Sequence, residues 1–80
     1  MSVYAFNTRL SPQEVVKKAT DYFAGKLGLQ ITEQTECCVS FTGGGGTVTV
    51  SANAGAKRTE VEVRALEWEF QARKFMRQFA

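Results

Sequence analysis

Four features of this 80-residue chain could carry chemistry: the adjacent thiols of Cys37 and Cys38, the carboxylates Glu60 and Glu62, the run Gly43–Gly46, and Phe70 among cations. Adjacent thiols could make a vicinal redox switch or supply a nucleophile. A nucleophile needs an activating partner, however, and neither cysteine has one recognisable in the sequence. Neighbours on a strand point to opposite faces, so a disulfide between them would require a distorted backbone. The expectation is two reduced thiols, one of them in the core, which suits a cytoplasmic protein. Glu60 and Glu62 alternate with valine on what reads as an open strand face. There they lack the desolvation that would raise a pKa toward acid–base work. The chain contains no histidine, which removes the commonest general base and the commonest metal ligand. No catalytic, cofactor-binding or metal-binding residues are expected, and the chain reads as non-enzymatic.

The glycine run invites comparison with a phosphate-binding loop. Such loops lead into a helix N-terminus and usually carry a lysine at fixed spacing. Here the glycines lead into Thr47-Val48-Thr49-Val50, a strand pattern, and no Gly-Lys-Ser/Thr follows. They read as a flexible hairpin whose tip is free to move. Phe70 stands about 200° from Trp68 at the helical 100° per residue. It therefore shares an outer helix face with Arg73, Lys74 and Arg77. The plain reading is a cationic solvated face with Phe70 tucked against a loop or the end of a strand. The sharper one is a contact surface, with Phe70, Arg73, Lys74 and Arg77 as the candidate partner-binding residues.

These residues must be positioned by elements that the sequence marks clearly. Thr47–Ala52 and Thr59–Ala65 alternate apolar and polar residues, as do strands with one buried face. Val3–Thr8 gives a first strand with Tyr4 and Phe6 inward. Leu10-Ser11-Pro12-Gln13-Glu14-Val15 holds a capping box, a first-turn proline and a hydrophobic staple. The helix it starts should run to about Leu27, with Val15 or Val16, Ala19, Phe23 and Leu27 as its apolar stripe and Gly28 beyond its end. Leu29–Gln34 and Cys37–Thr42 make two more strands around a turn at 33–36, with Cys37, Val39 and Phe41 inward. From about Leu66 the period becomes helical, and Trp68, Ala72, Phe75 and Phe79 share one stripe with Met76 beside them.

The fold class is therefore α+β: a single domain over residues 1–80, with an antiparallel sheet of four to five strands and two helices on one face. Its order is β-α-β-β-β-β-α. This layout resembles one half of the TATA-box-binding-protein fold, and more loosely a reduced helix-grip fold. The resemblance lies in element order across nearly the whole chain, with no motif of either family. The TATA-binding saddle wedges Phe into the minor groove; with Phe41 inward no Phe is expected on this open face, so DNA binding does not carry over. The resemblance implies that two such units could join into one longer sheet.

A chain this short buries only about 60–65% of its unfolded surface. Six Phe, two Tyr and one Trp give the small core large buried areas, and dimerisation is a common further source of stability. A net charge of +2 is low for a dedicated nucleic-acid binder. The expected open face of Gln30, Thr32, Ser40, Thr49, Ser51, Glu60, Glu62 and Arg64 offers no aromatic for base stacking. No segment approaches the ~20 apolar residues of a membrane span, and no signal-peptide run is visible. The leading expectation is a small cytoplasmic interaction module acting as a homodimer. One alternative is an apolar-ligand carrier with a groove near Trp68 and Phe75. Another is weak nucleic-acid binding through Lys57, Arg58, Arg73, Lys74 and Arg77.

Overall fold

A computed structural model describes residues 1–79. Five strands form one antiparallel sheet: β1 (Ser2–Thr8), β2 (Gln30–Gln34), β3 (Cys38–Gly43), β4 (Gly46–Ala54) and β5 (Thr59–Leu66). Their spatial order is β1-β5-β4-β3-β2, which leaves β1 and β2 as the two edges. Helix α1 (Pro12–Ala19) follows β1, and helix α2 (Glu69–Met76) follows β5. The two alternating tracts pair along their whole length, from Thr47 opposite Leu66 to Ala54 opposite Thr59. Their apolar sides, Val48, Val50, Ala52, Val61, Val63 and Ala65, are buried under both helices. Helices and core thus lie on one face of the sheet, and the opposite face is open. No helix among the described residues is long and apolar enough to cross a membrane.

The start of α1 is built as its sequence dictates. Glu14 donates its backbone N–H to the Ser11 hydroxyl at 3.2 Å, and the Ser11 N–H donates back to the Glu14 carboxylate at 3.1 Å. These reciprocal bonds satisfy two amide groups that a bare helix end would leave open. The continuation differs from a regular helix. At Thr20 the chain widens into a π-helical segment, Thr20–Lys26, closed by a bond from the Leu27 N–H to the Tyr22 carbonyl. The Thr20 hydroxyl donates to the Val16 carbonyl at 2.9 Å, a back-bond that competes with the backbone and bends helices. The widening turns Tyr22 toward the core beside the expected Phe23. Tyr22 meets Phe75 at 5.9 Å between ring centroids and Phe23 edge-on at 5.1 Å.

Edge strand β2 departs from strict alternation as well. A bulge between Ile31 and Glu33 changes its phase, so Gln34 lies opposite the buried Val39 rather than sharing the open face with Gln30. Ile31 stands opposite Phe41 on the helix side yet is 42% exposed, because α1 packs over β3 and β4 and leaves the edge uncovered.

The glycine run has a different role from the one its composition suggests. Gly43 pairs with Gly46, and the two-residue loop between them has positive φ at Gly44 and Gly45, as a type I′ hairpin requires. The indole of Trp68 lies against this hairpin and donates its N–H to the Gly43 carbonyl at 2.8 Å. A Cβ on Gly46 would fall 2.2 Å from the Leu66 carbonyl oxygen and 2.9 Å from the Trp68 ring. The run is a docking platform for Trp68. Trp68 is accordingly the residue before the helix rather than part of its stripe, and Glu67 adopts φ 69° to make the corner from strand to helix.

Gly46→Ala forces backbone apart at Leu66 and should destabilise the fold by about 3 kcal/mol, the upper range for overpacking, measured by urea unfolding. Glu14 has its pKa held below the ordinary carboxylate value, chiefly by the Ser11 backbone N–H and then by the Ser11 hydroxyl. A lowered folded pKa stabilises the fold above the unfolded value and loses that contribution as pH falls through the folded one. Acid unfolding of Glu14→Gln should therefore show a shallower pH dependence in this range; an unchanged slope would contradict the capping role.

Candidate interaction surfaces

Phe70 is 56% exposed on the outer side of α2, and the Lys74 ammonium sits over its ring, 5.0 Å from the centroid. The i, i+4 spacing of the two residues on one helix brings them together, and the aromatic face attracts the cation. Arg73 is exposed on α2, and Arg77 in the short turn Arg77–Phe79 that extends it. The four residues singled out from the sequence thus share one solvent-facing surface. Phe70 is not tucked against a loop or a strand end. The ion pair among the described residues lies elsewhere, between Arg64 and Glu62 at 2.7 Å on β5, so no carboxylate among them is paired with Arg73, Lys74 or Arg77.

The inner side of α2 is closed. Phe75 is fully buried, with its centroid 5.3 Å from that of Phe23, which in turn stands 5.3 Å from Phe41. Phe79 completes the cluster by packing on Phe75 at 5.1 Å and on Phe6 at 5.0 Å. These rings occupy the space between helix and sheet where a carried apolar ligand would sit. Of the cations considered together in the sequence, Arg58 joins a different neighbourhood. It lines a shallow depression with Arg9, Lys18, Gln78 and Phe79, to which Arg73, Lys74 and Arg77 do not contribute.

The open sheet face carries the expected polar rows. The Ser40 and Thr49 hydroxyls share a hydrogen bond at 3.2 Å, and Arg64 and Glu62 pair along β5. It also carries residues that the sequence reading did not place there. Val3 lies opposite Arg64, and Ala5 opposite Glu62, so β1 contributes Val3, Ala5 and Asn7 to this face. Val3 is 54% exposed and Leu66 is exposed nearby on β5. The alternation of β1 already implied this, since placing Tyr4 and Phe6 inward puts their odd-numbered neighbours outward.

Cys37 and Cys38 are joined in a disulfide with an S–S distance of 2.14 Å, which corrects the expectation of two free thiols. The opposed directions of strand neighbours do not apply, because Cys37 lies in the bend before β3 and only Cys38 belongs to the strand. The hairpin is closed by the Thr35 N–H donating to the Cys38 carbonyl at 2.8 Å, and the Ala52 N–H donates to the Cys37 carbonyl at 2.8 Å. With the two sulfurs joined, the cysteines give no reason to place the chain in a reducing compartment. Among the described residues no three potential ligating side chains converge on a metal position.

Comparison with protein-family models, curated proteins and solved structures finds no match to this chain. Thiol-alkylating reagents should leave both cysteines of the native, oxidised protein unmodified and label two per chain after reduction, as read by intact-mass spectrometry. Labelling without reductant would show that the two thiols are not joined.

Proposed function

We propose that this protein is a small non-enzymatic interaction module that works as a homodimer and offers the outer face of α2 to an acidic partner. The observation that carries the reading is the composition of that face. Phe70 is a large apolar group left in water, and Lys74 stacked on it, Arg73 and Arg77 surround it, none of them ion-paired with a carboxylate among the described residues. Aromatic and arginine side chains are the groups enriched where proteins meet. A partner segment with an apolar side chain for Phe70 and carboxylates for the three cations would satisfy every group on it. The homodimer reading draws support from the small core and from two unpaired sheet edges, which leave backbone hydrogen-bonding groups open.

A synthetic Glu-rich helical peptide with one leucine per turn is a suitable probe. Titrated into the protein at low salt, it should shift the amide resonances of residues 70–77, and binding should weaken as salt screens the charges. Phe70→Ser should weaken binding about tenfold, in line with the loss of an interfacial aromatic anchor, while unfolding stability stays within about 0.5 kcal/mol, as for an exposed site. Equal binding by Phe70→Ser would refute this surface.

A further inference from the structure

The two edges of the sheet are protected very differently. β2 is five residues long, interrupted by a bulge at Ile31–Glu33, and bears the charge of Glu33. Those are the devices by which natural edge strands avoid pairing. β1 has none of them. Its seven residues, Ser-Val-Tyr-Ala-Phe-Asn-Thr, contain no charge and no proline, and they pair with β5 in an unbroken register from Ser2 to Thr8. Its other side is the sheet's free edge. On the helix side of this edge, Tyr4 and Phe6 are only partly buried, although they pack against the core.

We infer that β1 pairs antiparallel with β1 of a second copy across a dyad through Ala5, joining two five-stranded sheets into one of ten strands. The inference rests on the homodimer reading and names its interface. Residues directly opposite in an antiparallel pair lie on the same face, so odd positions must meet odd ones. The dyad at Ala5 meets this condition and uses all seven residues: Ala5 faces Ala5, Tyr4 faces Phe6, Val3 faces Asn7, and Ser2 faces Thr8. Each copy's Tyr4 then covers the other's Phe6, an aromatic cross-strand pair formed twice. Moving the dyad to Phe6 would set Val3 against charged Arg9 and lose that pair. The α2 surface is the poorer self-contact, because a symmetric interface would bring Arg73, Lys74 and Arg77 against their own copies. Pairing β1 with β2 of another molecule would meet the bulge and give an open chain of molecules rather than a closed dimer.

The register is testable by disulfide trapping in a Cys37→Ser/Cys38→Ser background, with folding verified by circular dichroism. Across the dyad the Cα atoms of residue 5 stand about 4.5–5.5 Å apart, within disulfide reach. Residue 3 of one copy and residue 3 of the other lie four positions apart along the strands, about 14 Å at ~3.4 Å per residue, which is beyond it. Ala5→Cys should therefore oxidise to a covalent dimer at least tenfold faster than Val3→Cys. Sedimentation equilibrium of the unmodified protein separates the two levels of the inference. A species of the 8.8 kDa chain mass at all micromolar concentrations overturns the homodimer itself. A dimer in which Ala5→Cys traps no faster than Val3→Cys leaves the homodimer standing and overturns the β1 interface. If the serine background does not fold, amide exchange of the unmodified dimer decides. Protection of outward-facing β1 amides that rises with concentration supports the pairing, and concentration-independent exchange there overturns it.

Discussion

The close approach of Trp68 to the glycine hairpin is the constraint on which the placement of the second helix depends. Gly46 has backbone from Leu66 where its Cβ would be, and the Trp68 N–H is anchored on the Gly43 carbonyl. Together these fix the point at which the chain leaves β5 and turns, through the positive φ of Glu67, into α2. The helix has little freedom in phase after such a corner. Ala72 and Phe75 are brought down onto the core, and Phe70 is left facing water. The burial of one aromatic and the exposure of another five residues earlier are thus consequences of one tight junction between the third and fourth strands and the start of the last helix.

The parts of the fold legible in the sequence are those decided by local pattern. Alternation set the inward sides of β3, β4 and β5, and the capping box at Ser11 and Glu14 forms in both directions. The parts that were not legible are decided by contacts between distant segments. Four glycines look like freedom until Trp68, more than twenty residues away, is seen lying on them. The π-helical stretch has a local contributor in Thr20, but its outcome, Tyr22 packed on Phe75, depends on a ring from the other end of the chain. The bulge in β2 is invisible in Gln30–Gln34 itself, because it is defined by what stands opposite in β3. The cysteine pair misled for a related reason: the opposed directions of neighbours hold within a strand, and β3 begins one residue later than the pattern suggested.

Of the candidate surface, the α2 face was legible because it needs only helical geometry. Phe70, Arg73, Lys74 and Arg77 follow from spacing along one helix, and the stacking of Lys74 on Phe70 follows from i, i+4 proximity. The basic set that also included Arg58 was not, since its members are separated in the sequence and the fold assigns Arg58 to the neighbourhood of Arg9 and Lys18. Linear proximity groups charges well on one element and poorly between elements.

The strand order explains why the uncharged strand is also the exposed one. An edge strand in a sheet with helices on one side has three environments: a face toward the core, a face toward water and a side with open hydrogen-bonding groups. β1 meets the first with Tyr4 and Phe6, and both remain only partly covered because the helices pack chiefly over the inner strands. It meets the second with Val3, Ala5 and Asn7, none of which is charged. Edge strands of isolated domains usually carry a lysine, a proline or a bulge on such positions because desolvating a charge or breaking the ladder opposes further pairing. β2 carries a bulge and the charge of Glu33, and β1 carries no charge, proline or bulge. The same feature that weakens the monomer, a partly covered aromatic margin on an already small core, is removed when the edge is paired. Pairing there would bury apolar surface that folding of one chain leaves exposed, and it would satisfy backbone groups that otherwise depend on water.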